Sequence, residues 1–346
     1  MRISKLSFIV AVLAALLLIV VKVRAGMEYG FILGLHEPIL PNGFLLFWPD
    51  EITYITWLDT RYDAFQAILS GERDATNLFG YYVGYFYALM DDWRYMYLIG
   101  LIGLIVFYVS ALKLFKIIDT DNRRSDLLLS IFLLSPTVIV LASSALRELY
   151  ILAIVNLIII YCCQRRLIPI IIALISLFFL RNFYIVILAP VFVYFWFYYN
   201  PRRYRISLLV GVMALVILLI VIWLKSSIYL TSGMDIVFRM ITAFTGFNIE
   251  ILSLDKLFSE NMAFTLERLG LIYQFMFMCC LYCYLIIRGL RINLFLLVCF
   301  IVMLNLAITY GYFLGYFVTR TKLILIWLVV LYLVSEAKDK SRVELC

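Results

Sequence analysis

The stretch LSFIVAVLAALLLIVV, residues 6–21, contains no charged side chain and is the first of many apolar runs in this chain. A run of this kind is typical of a helix that enters a lipid bilayer, whose hydrocarbon core requires ~20 apolar residues per helix. Val23-Arg24-Ala25, which follows, weakly resembles a signal-peptidase site. Because so many apolar runs come later, we predict that this first helix is an uncleaved transmembrane segment.

The composition places the whole chain in the class of membrane proteins. Its 346 residues are 66% hydrophobic and 15% charged, whereas soluble domains are about 45–50% apolar and about 25% charged. Phosphate-cradling loops, dinucleotide fingerprints and zinc-protease motifs are not found in the sequence, which argues against nucleotide-driven chemistry. The net charge of +7 follows from the membrane topology described next, so we predict no nucleic-acid partner.

Apolar runs separated by short polar turns predict an all-α, polytopic transmembrane helical bundle of about ten spans. The chain, residues 1–346, is predicted to form a single integral membrane domain. The predicted spans are Leu6–Val21, Tyr95–Leu114, Leu127–Leu141, Tyr150–Cys163, Leu167–Leu180, Phe183–Tyr199, Ile206–Leu224, Leu269–Ile287, Ile292–Tyr310 and Leu323–Val334.

The distribution of basic residues sets the predicted orientation. Lysine and arginine concentrate in alternate short loops, as the positive-inside rule requires of cytoplasmic loops. Both termini are therefore predicted to be cytoplasmic. The two long polar loops, residues 22–94 and 225–268, are predicted to face outward, and residues 77–90 are predicted to form a short interfacial helix. The inner cations include Lys113, Lys116, Arg123, Arg124, Arg165, Arg166, Arg202 and Arg203.

The first outer loop carries a stretch, residues 47–63, in which carboxylates alternate with aromatic rings. Asp50 and Glu51 are candidate general bases, since a carboxylate can take a proton from a sugar hydroxyl. Tyr54 and Trp57 are candidate substrate-binding residues, because aromatic rings can pack on sugar faces. The alternative is a solvated loop whose rings anchor it at the headgroup level.

Several charged residues are predicted to lie at one outer depth, where spans turn. Charges beside short apolar spans are costly and require a reason. One reason is a cluster that binds a lipid-linked pyrophosphate, because guanidinium forks match phosphate oxygens. The alternative is that Arg147 pairs with a nearby carboxylate while the other arginines reach the headgroups. The candidate substrate-binding residues are Arg147, Glu148, Arg181, Arg239 and Arg320.

The seven cysteines predict neither a disulfide nor a metal site. Six lie inside apolar runs and the seventh, Cys346, is the last residue. Cys279, Cys280 and Cys283 have no histidine or carboxylate nearby, so we interpret them as packing residues. No cofactor is required by the predicted chemistry. A divalent metal is nevertheless compatible with four carboxylates of the first loop, Asp50, Glu51, Asp59 and Asp63.

Parts of the first half of the chain resemble membrane glycosyltransferases of the GT-C architecture, which use polyprenyl-linked donors. The matching pieces are Asp50-Glu51-x-x-Tyr54, the aromatic run 77–90, Leu134-Ser135-Pro136 and Ser143-Ser144-Ala145-Leu146-Arg147-Glu148. The resemblance implies that Asp50 or Glu51 is the catalytic base. The chain differs from many such enzymes because it lacks their soluble outer domain.

The chain is also similar to Wzy-type repeat-unit polymerases of O-antigen and exopolysaccharide, which have ten or more spans, two sizeable outer loops and functional outer arginines. Leu146-Arg147-Glu148, a basic inner turn and Leu180-Arg181 carry this similarity. It implies a bacterial inner-membrane enzyme that acts on an undecaprenyl-pyrophosphate-linked oligosaccharide. Membrane lipid, a chain-length regulator and a flippase are the further partners that it implies.

Two alternative functions remain open from the sequence. One is a GT-C monosaccharide transferase that modifies envelope glycans or lipid. The other, of a different class, is a flippase or transporter of lipid-linked oligosaccharides, which would place charges midway along its spans. The middles of the predicted spans are almost free of charge, which favours an enzyme that works at the membrane surface.

Overall fold

Helices make up the structure of this chain wherever it is described. The computed structural model describes residues 3–29, 89–90, 92–118, 122–198, 262–287, 295–299, 301–302, 306 and 319–343. Over these residues the chain forms helices and turns and no strand. The all-α prediction is therefore confirmed for this part of the chain.

The described helices coincide with predicted apolar runs but extend beyond several of them. Helix formation continues into the loop predicted at 225–268, where residues 262–268 are helical, and past the predicted end of the last span at Val334. A short 3-10 helix, Trp93–Met96, leads directly into the second long helix. The α-helices are α1 (Ile3–Tyr29), α2 (Tyr97–Ile118), α3 (Asn122–Leu133), α4 (Pro136–Ala142), α5 (Glu148–Gln164), α6 (Leu167–Tyr198), α7 (Met262–Ile287) and α8 (Thr319–Val343).

The lengths of these helices are compatible with membrane insertion. Two segments, Ile3–Arg24 and Arg94–Ile118, are long and apolar enough to cross a bilayer. A third is added if α3 and α4, which are bent by 66° relative to each other, count as one broken span. The other apolar helices within the described residues are shorter. The number of ten spans therefore stays a prediction.

Helix α1 is longer than predicted, and this changes the position of Lys22. The sequence places Lys22 at the start of a polar loop, but α1 continues through it to Tyr29. This prediction was wrong because α1 contains no proline and because the lysine lies on the buried stripe of the helix. That stripe consists of Ser4, Ser7, Ala11, Ala15, Ile19 and Lys22, which recur at the three- and four-residue spacing of one helix face.

The predicted span Leu127–Leu141 is broken. Helix α3 ends at Leu133 and α4 begins at Pro136, and Ser135 between them has φ −59° and ψ 130°. Proline has no N–H and disfavours a helical residue before it, so the helix cannot pass through this point. As a result α4 turns by 66° from the axis of α3 and packs against α1, α2 and α7.

Arg181 interrupts α6 at the turn predicted for Arg181-Asn182, but only Arg181 leaves the helical conformation there. Its backbone is extended, with φ −167° and ψ 98°, between two helical halves. An extended residue inside a helix removes intrahelical hydrogen bonds from the carbonyl groups that precede it. One of these carbonyls, that of Leu180, accepts a hydrogen bond of 3.1 Å from Nη1 of Arg147.

Trp327 of α8 lies at the centre of the core. The ring is fully buried, and its centroid lies 4.9 Å from those of Phe107 and Phe132. Its Nε1 donates a hydrogen bond of 2.7 Å to Asn156 Oδ1, and Asn156 Nδ2 donates one of 3.1 Å to Ser110 Oγ. This uncharged network joins α2, α5 and α8, and each of its buried polar groups has a partner, as low-dielectric surroundings require.

Candidate functional site

The turn between α4 and α5, residues 143–147, is held tightly against α2. Ser143 Oγ and Ser144 Oγ each donate a hydrogen bond of 2.8 Å to the carbonyl of Val140, at the end of α4. Gly100 of α2 lies so close that a Cβ atom there would stand 2.6 Å from the Ala142 carbonyl oxygen. Only glycine allows two backbones to approach this closely.

Lys22 of α1 also binds this turn. Its Nζ donates hydrogen bonds to Ser144 Oγ at 2.7 Å and to the Ser143 carbonyl at 3.1 Å. The ammonium also lies 5.4 Å from the ring centroid of Tyr97. Lys22 is only 3% exposed, and a buried ammonium is tolerated only when acceptors or rings replace its water.

Arg147, Glu148 and Arg181 come together where the turn leads into α5. Glu148 begins α5 and is 1% exposed, and a carboxylate is favoured there by the helix dipole. Arg181 Nη1 lies 3.4 Å from Glu148 Oε1, and its guanidinium stands 5.6 Å from the ring centroid of Tyr184. The structure thus brings Arg147 and Arg181 together at the start of α5 and the break in α6. Their common depth at the outer side of a membrane stays a prediction.

We call the residues Lys22, Ser143, Ser144, Arg147, Glu148 and Arg181 the polar cluster. It lies at one end of the bundle, because α1 also contacts Asp126 at its opposite end through the backbone N–H and hydroxyl of Ser4. At ~1.5 Å per residue, Ser4 and Lys22 are ~27 Å apart along α1. This separation is close to the ~30 Å thickness of a bilayer's hydrocarbon core.

A second, exposed charge pair precedes α2 near this end. Asp92 accepts hydrogen bonds from the backbone N–H of Arg94 at 2.9 Å and from its Nε at 2.6 Å. The hydrogen bond from the Arg94 side chain holds the pKa of the Asp92 carboxyl below its usual value. The carboxylate is therefore charged at neutral pH, and its contribution is lost only as the pH falls through this lowered pKa.

The remaining candidate residues lie largely outside the described residues. Arg320 belongs to the first turn of α8, and nothing is described of its side chain. The interfacial helix predicted at 77–90 is described only at residues 89–90, which are helical. The candidates outside the described residues are Asp50, Glu51, Tyr54, Trp57 and Arg239.

The described part of the chain brings together no three His, Cys, Asp or Glu side chains that could hold a metal ion. No disulfide links its six cysteines. Asp50, Glu51, Asp59 and Asp63 lie outside it, so metal binding by the first loop stays a prediction. No protein family model, curated protein or solved structure matches this chain.

Sequence reasoning missed Lys22, Tyr97 and Tyr184 as members or neighbours of the site. The available signal for Lys22 was its position on the helix face that Ala11 and Ala15 share. Chemically, the polar cluster combines cationic donors from three separate helices or turns with a buried carboxylate. Cationic donors arranged in this way can bind an anionic group.

Proposed function

We propose that this chain is a membrane-embedded glycosyltransferase of the bacterial inner membrane, with both termini cytoplasmic. It acts at the outer face on undecaprenyl-pyrophosphate-linked sugars and polymerises polysaccharide repeat units such as those of O-antigen. The observation that carries the proposal is the polar cluster, in which Lys22, Arg147 and Arg181 come from distant parts of the chain to one end of an apolar bundle.

The geometry of the arginines suits a phosphate that arrives and leaves. The Arg181–Glu148 distance of 3.4 Å is longer than the ~2.7–2.9 Å typical of a strong charge-assisted hydrogen bond. A pyrophosphate oxygen can therefore approach the guanidinium more closely than the Glu148 carboxylate does. Arg147 presents a planar fork whose Nη1 contacts a neutral carbonyl, and a phosphate offers a stronger acceptor than that carbonyl does.

The proposed reaction needs no nucleotide. The bond between the donor sugar's anomeric carbon and the pyrophosphate oxygen breaks, and a bond from the acceptor hydroxyl oxygen forms at that carbon. The proton of the hydroxyl passes to Asp50 or Glu51 of the first outer loop. The charge that grows on the leaving pyrophosphate is stabilised by Arg147 and Arg181, with Arg239 and Arg320 as further candidate contacts.

The polar network at the centre of the bundle favours surface chemistry over a transport path. Within the described residues, the polar network around Trp327 consists of Ser110, Asn156 and Trp327, all of them uncharged. A path for a charged lipid-linked glycan would require charged side chains at that depth. A single-sugar transferase would use the same polar cluster, and the length of the glycan product separates it from a polymerase.

Replacement of Arg147 by lysine tests the role of the polar cluster. The variant keeps the charge but loses the planar fork. We expect transfer to fall by about tenfold to a hundredfold, because hydrogen bonds between charged groups contribute ~1.5–3 kcal/mol. The measurement is the surface-glycan ladder of a strain that lacks the gene and carries the variant, with the membrane level of the protein measured in parallel.

Tyr150→Phe is the matched control for this experiment. It removes another hydrogen bond of the same region, the 2.7 Å bond from Tyr150 Oη to the Ile99 carbonyl, and replaces no charged residue. We expect it to lower stability slightly and to leave the ladder intact. If Arg147→Lys gives a full ladder, or if both variants lose activity in proportion to protein level, Arg147 has a structural role only.

The first outer loop is tested by the double variant Asp50→Asn, Glu51→Gln. A general base typically contributes ~10²–10⁴-fold to a rate, so we expect the ladder to disappear while protein level is kept. Asp63→Asn, in the same loop, is the control and should matter less. A full-length ladder from the double variant would exclude these two carboxylates and point to the acidic residues of the second loop, such as Asp235 and Glu250.

A further inference from the structure

A cleft of about 430 Å³ opens between α3 and α7, with α8 at its back. We call it the α3–α7 cleft. Its lining is apolar along most of its length, and some of its lining side chains, such as Met276 and Cys280, are exposed. The residues that line it include Arg124, Leu128, Tyr273, Met276, Cys280 and Tyr284.

The two ends of the cleft differ in charge. At one end Arg124 Nη2 lies 3.3 Å from the Tyr284 hydroxyl, and the guanidinium stands 5.8 Å from that ring's centroid. At the other end the Tyr273 hydroxyl donates to the carbonyl of Ile131, so its polar atom is turned into α3. No lining residue is acidic. A ligand of this cleft therefore needs an anionic head and a long apolar body.

The length of the cleft fits one leaflet of a bilayer. Tyr273 and Tyr284 mark its ends on α7, and the helical rise of ~1.5 Å per residue places them ~16 Å apart. One leaflet contributes about half of the ~30 Å hydrocarbon core. The charged end also lies at the bundle end opposite the polar cluster, because Arg124 is close in sequence to Asp126, which contacts Ser4.

We propose that the α3–α7 cleft binds an anionic phospholipid, with its phosphate beside Arg124 and one acyl chain along Leu128, Met276 and Cys280. Basic pockets between transmembrane helices on the cytoplasmic side bind anionic headgroups in this way. The proposal rests on the membrane location given under the proposed function, but it does not depend on the proposed glycosyltransferase activity. It is also separate from the donor's pyrophosphate, which is proposed to bind at the opposite end.

The test is photo-crosslinking of the purified chain in detergent with a phosphatidylglycerol that carries a diazirine on its acyl chain. We expect crosslinks in α7 between Tyr273 and Tyr284. Unlabelled phosphatidylglycerol should compete at least about fivefold better than phosphatidylcholine, and inorganic phosphate should not compete. Arg124→Gln should reduce crosslinking about tenfold, as expected for loss of charge-assisted hydrogen bonds worth about 1.4 kcal/mol per tenfold.

Two further variants keep the test decisive. Cys280→Trp fills the exposed side of the cleft and should abolish crosslinking while Arg124 is retained. Lys116→Gln removes a cation of α2 that is exposed and does not line the cleft, and it should change nothing. Size-exclusion chromatography shows that each variant is folded.

Three results would overturn the proposal. They are unchanged crosslinking in both Arg124→Gln and Cys280→Trp, equal competition by phosphatidylcholine, and competition by inorganic phosphate alone. Unchanged crosslinking would show that the lipid binds elsewhere. Equal competition by phosphatidylcholine would show that the charge of the headgroup is not recognised, and competition by inorganic phosphate would show that the cleft binds an anion without a lipid. Because no glycan is measured, failure here leaves the proposed glycosyltransferase activity standing, and loss of that activity does not affect this result.

Discussion

Gly100→Ala is expected to destabilise the protein and to abolish glycan assembly. A Cβ atom at this position would overlap the carbonyl oxygens of Ser144 and Ala142, which belong to backbone and cannot rotate away. The turn that carries Ser143 and Ser144 would have to move off α2, and Lys22 would lose its two acceptors. Overpacking typically costs ~1–3 kcal/mol, and we expect a value near the top of this range, measured as a lower apparent midpoint of thermal unfolding in detergent.

Gly103→Ala, one turn further along α2, is the matched control. A Cβ atom there would meet Cε2 of Tyr150 at 3.0 Å and Cβ of Leu149 at 3.3 Å. These contacts are longer than those at Gly100 and are made by side-chain atoms rather than by backbone carbonyls, so we expect a smaller loss of stability and a retained glycan ladder. If the two alanine variants are equally stable and equally active, the close approach of the turn to α2 is not required.

Glu148→Gln is expected to destabilise the protein more than replacement of any other charged residue of the polar cluster. Glu148 is 1% exposed and the Arg181 side chain is 12% exposed, so their charges compensate each other away from water. Removal of one partner from a buried ion pair typically costs ~3–5 kcal/mol, because the remaining charge stays desolvated. The apparent midpoint of thermal unfolding should fall by more than it does for Arg147→Lys.

The double variant Glu148→Gln, Arg181→Gln separates the pair from other effects. If the loss in Glu148→Gln arises from the uncompensated guanidinium, the double variant should regain a large part of the stability. Arg94→Gln, which breaks an exposed pair with Asp92, should change stability little. If the losses of stability in the two single variants add up in the double variant, the Glu148–Arg181 contact contributes no interaction free energy.

The arginines of the polar cluster have a structural role that the proposed function has to accommodate. Arg147 satisfies the Leu180 carbonyl at the break in α6, and Arg181 lies at the break itself. Binding of a phosphate to either side chain would therefore also change how the two halves of α6 are held. This linkage is a physical reason why protein level and stability have to be measured beside glycan assembly in each arginine variant.

Local features of the sequence were sufficient for the secondary structure and for part of the site. Uncharged runs predicted where the described helices lie but not all of their ends, since α1, α7 and α8 extend into polar segments. The polar residues 143–148 predicted the turn before α5, and Arg181 marked the position of the break in α6. These predictions succeeded because hydropathy and helix-breaking act over a few neighbouring residues. Pro136 is a local signal of the same kind and indicates the bend before it. The predicted span 127–141 nevertheless ran through that proline without a break.

The chemistry of the ends of the bundle was decided only by the tertiary structure. Lys22 contacts Ser144, a residue 122 positions away, and Arg124 contacts Tyr284, a residue 160 positions away. No local pattern specifies such partners, because they depend on which helix faces pack together. The sequence by itself determined an apolar, helical chain with cations at the helix ends. Packing decided which cations are buried, what they contact and where a cleft remains open, because a buried charge is tolerated only where the fold supplies its partners.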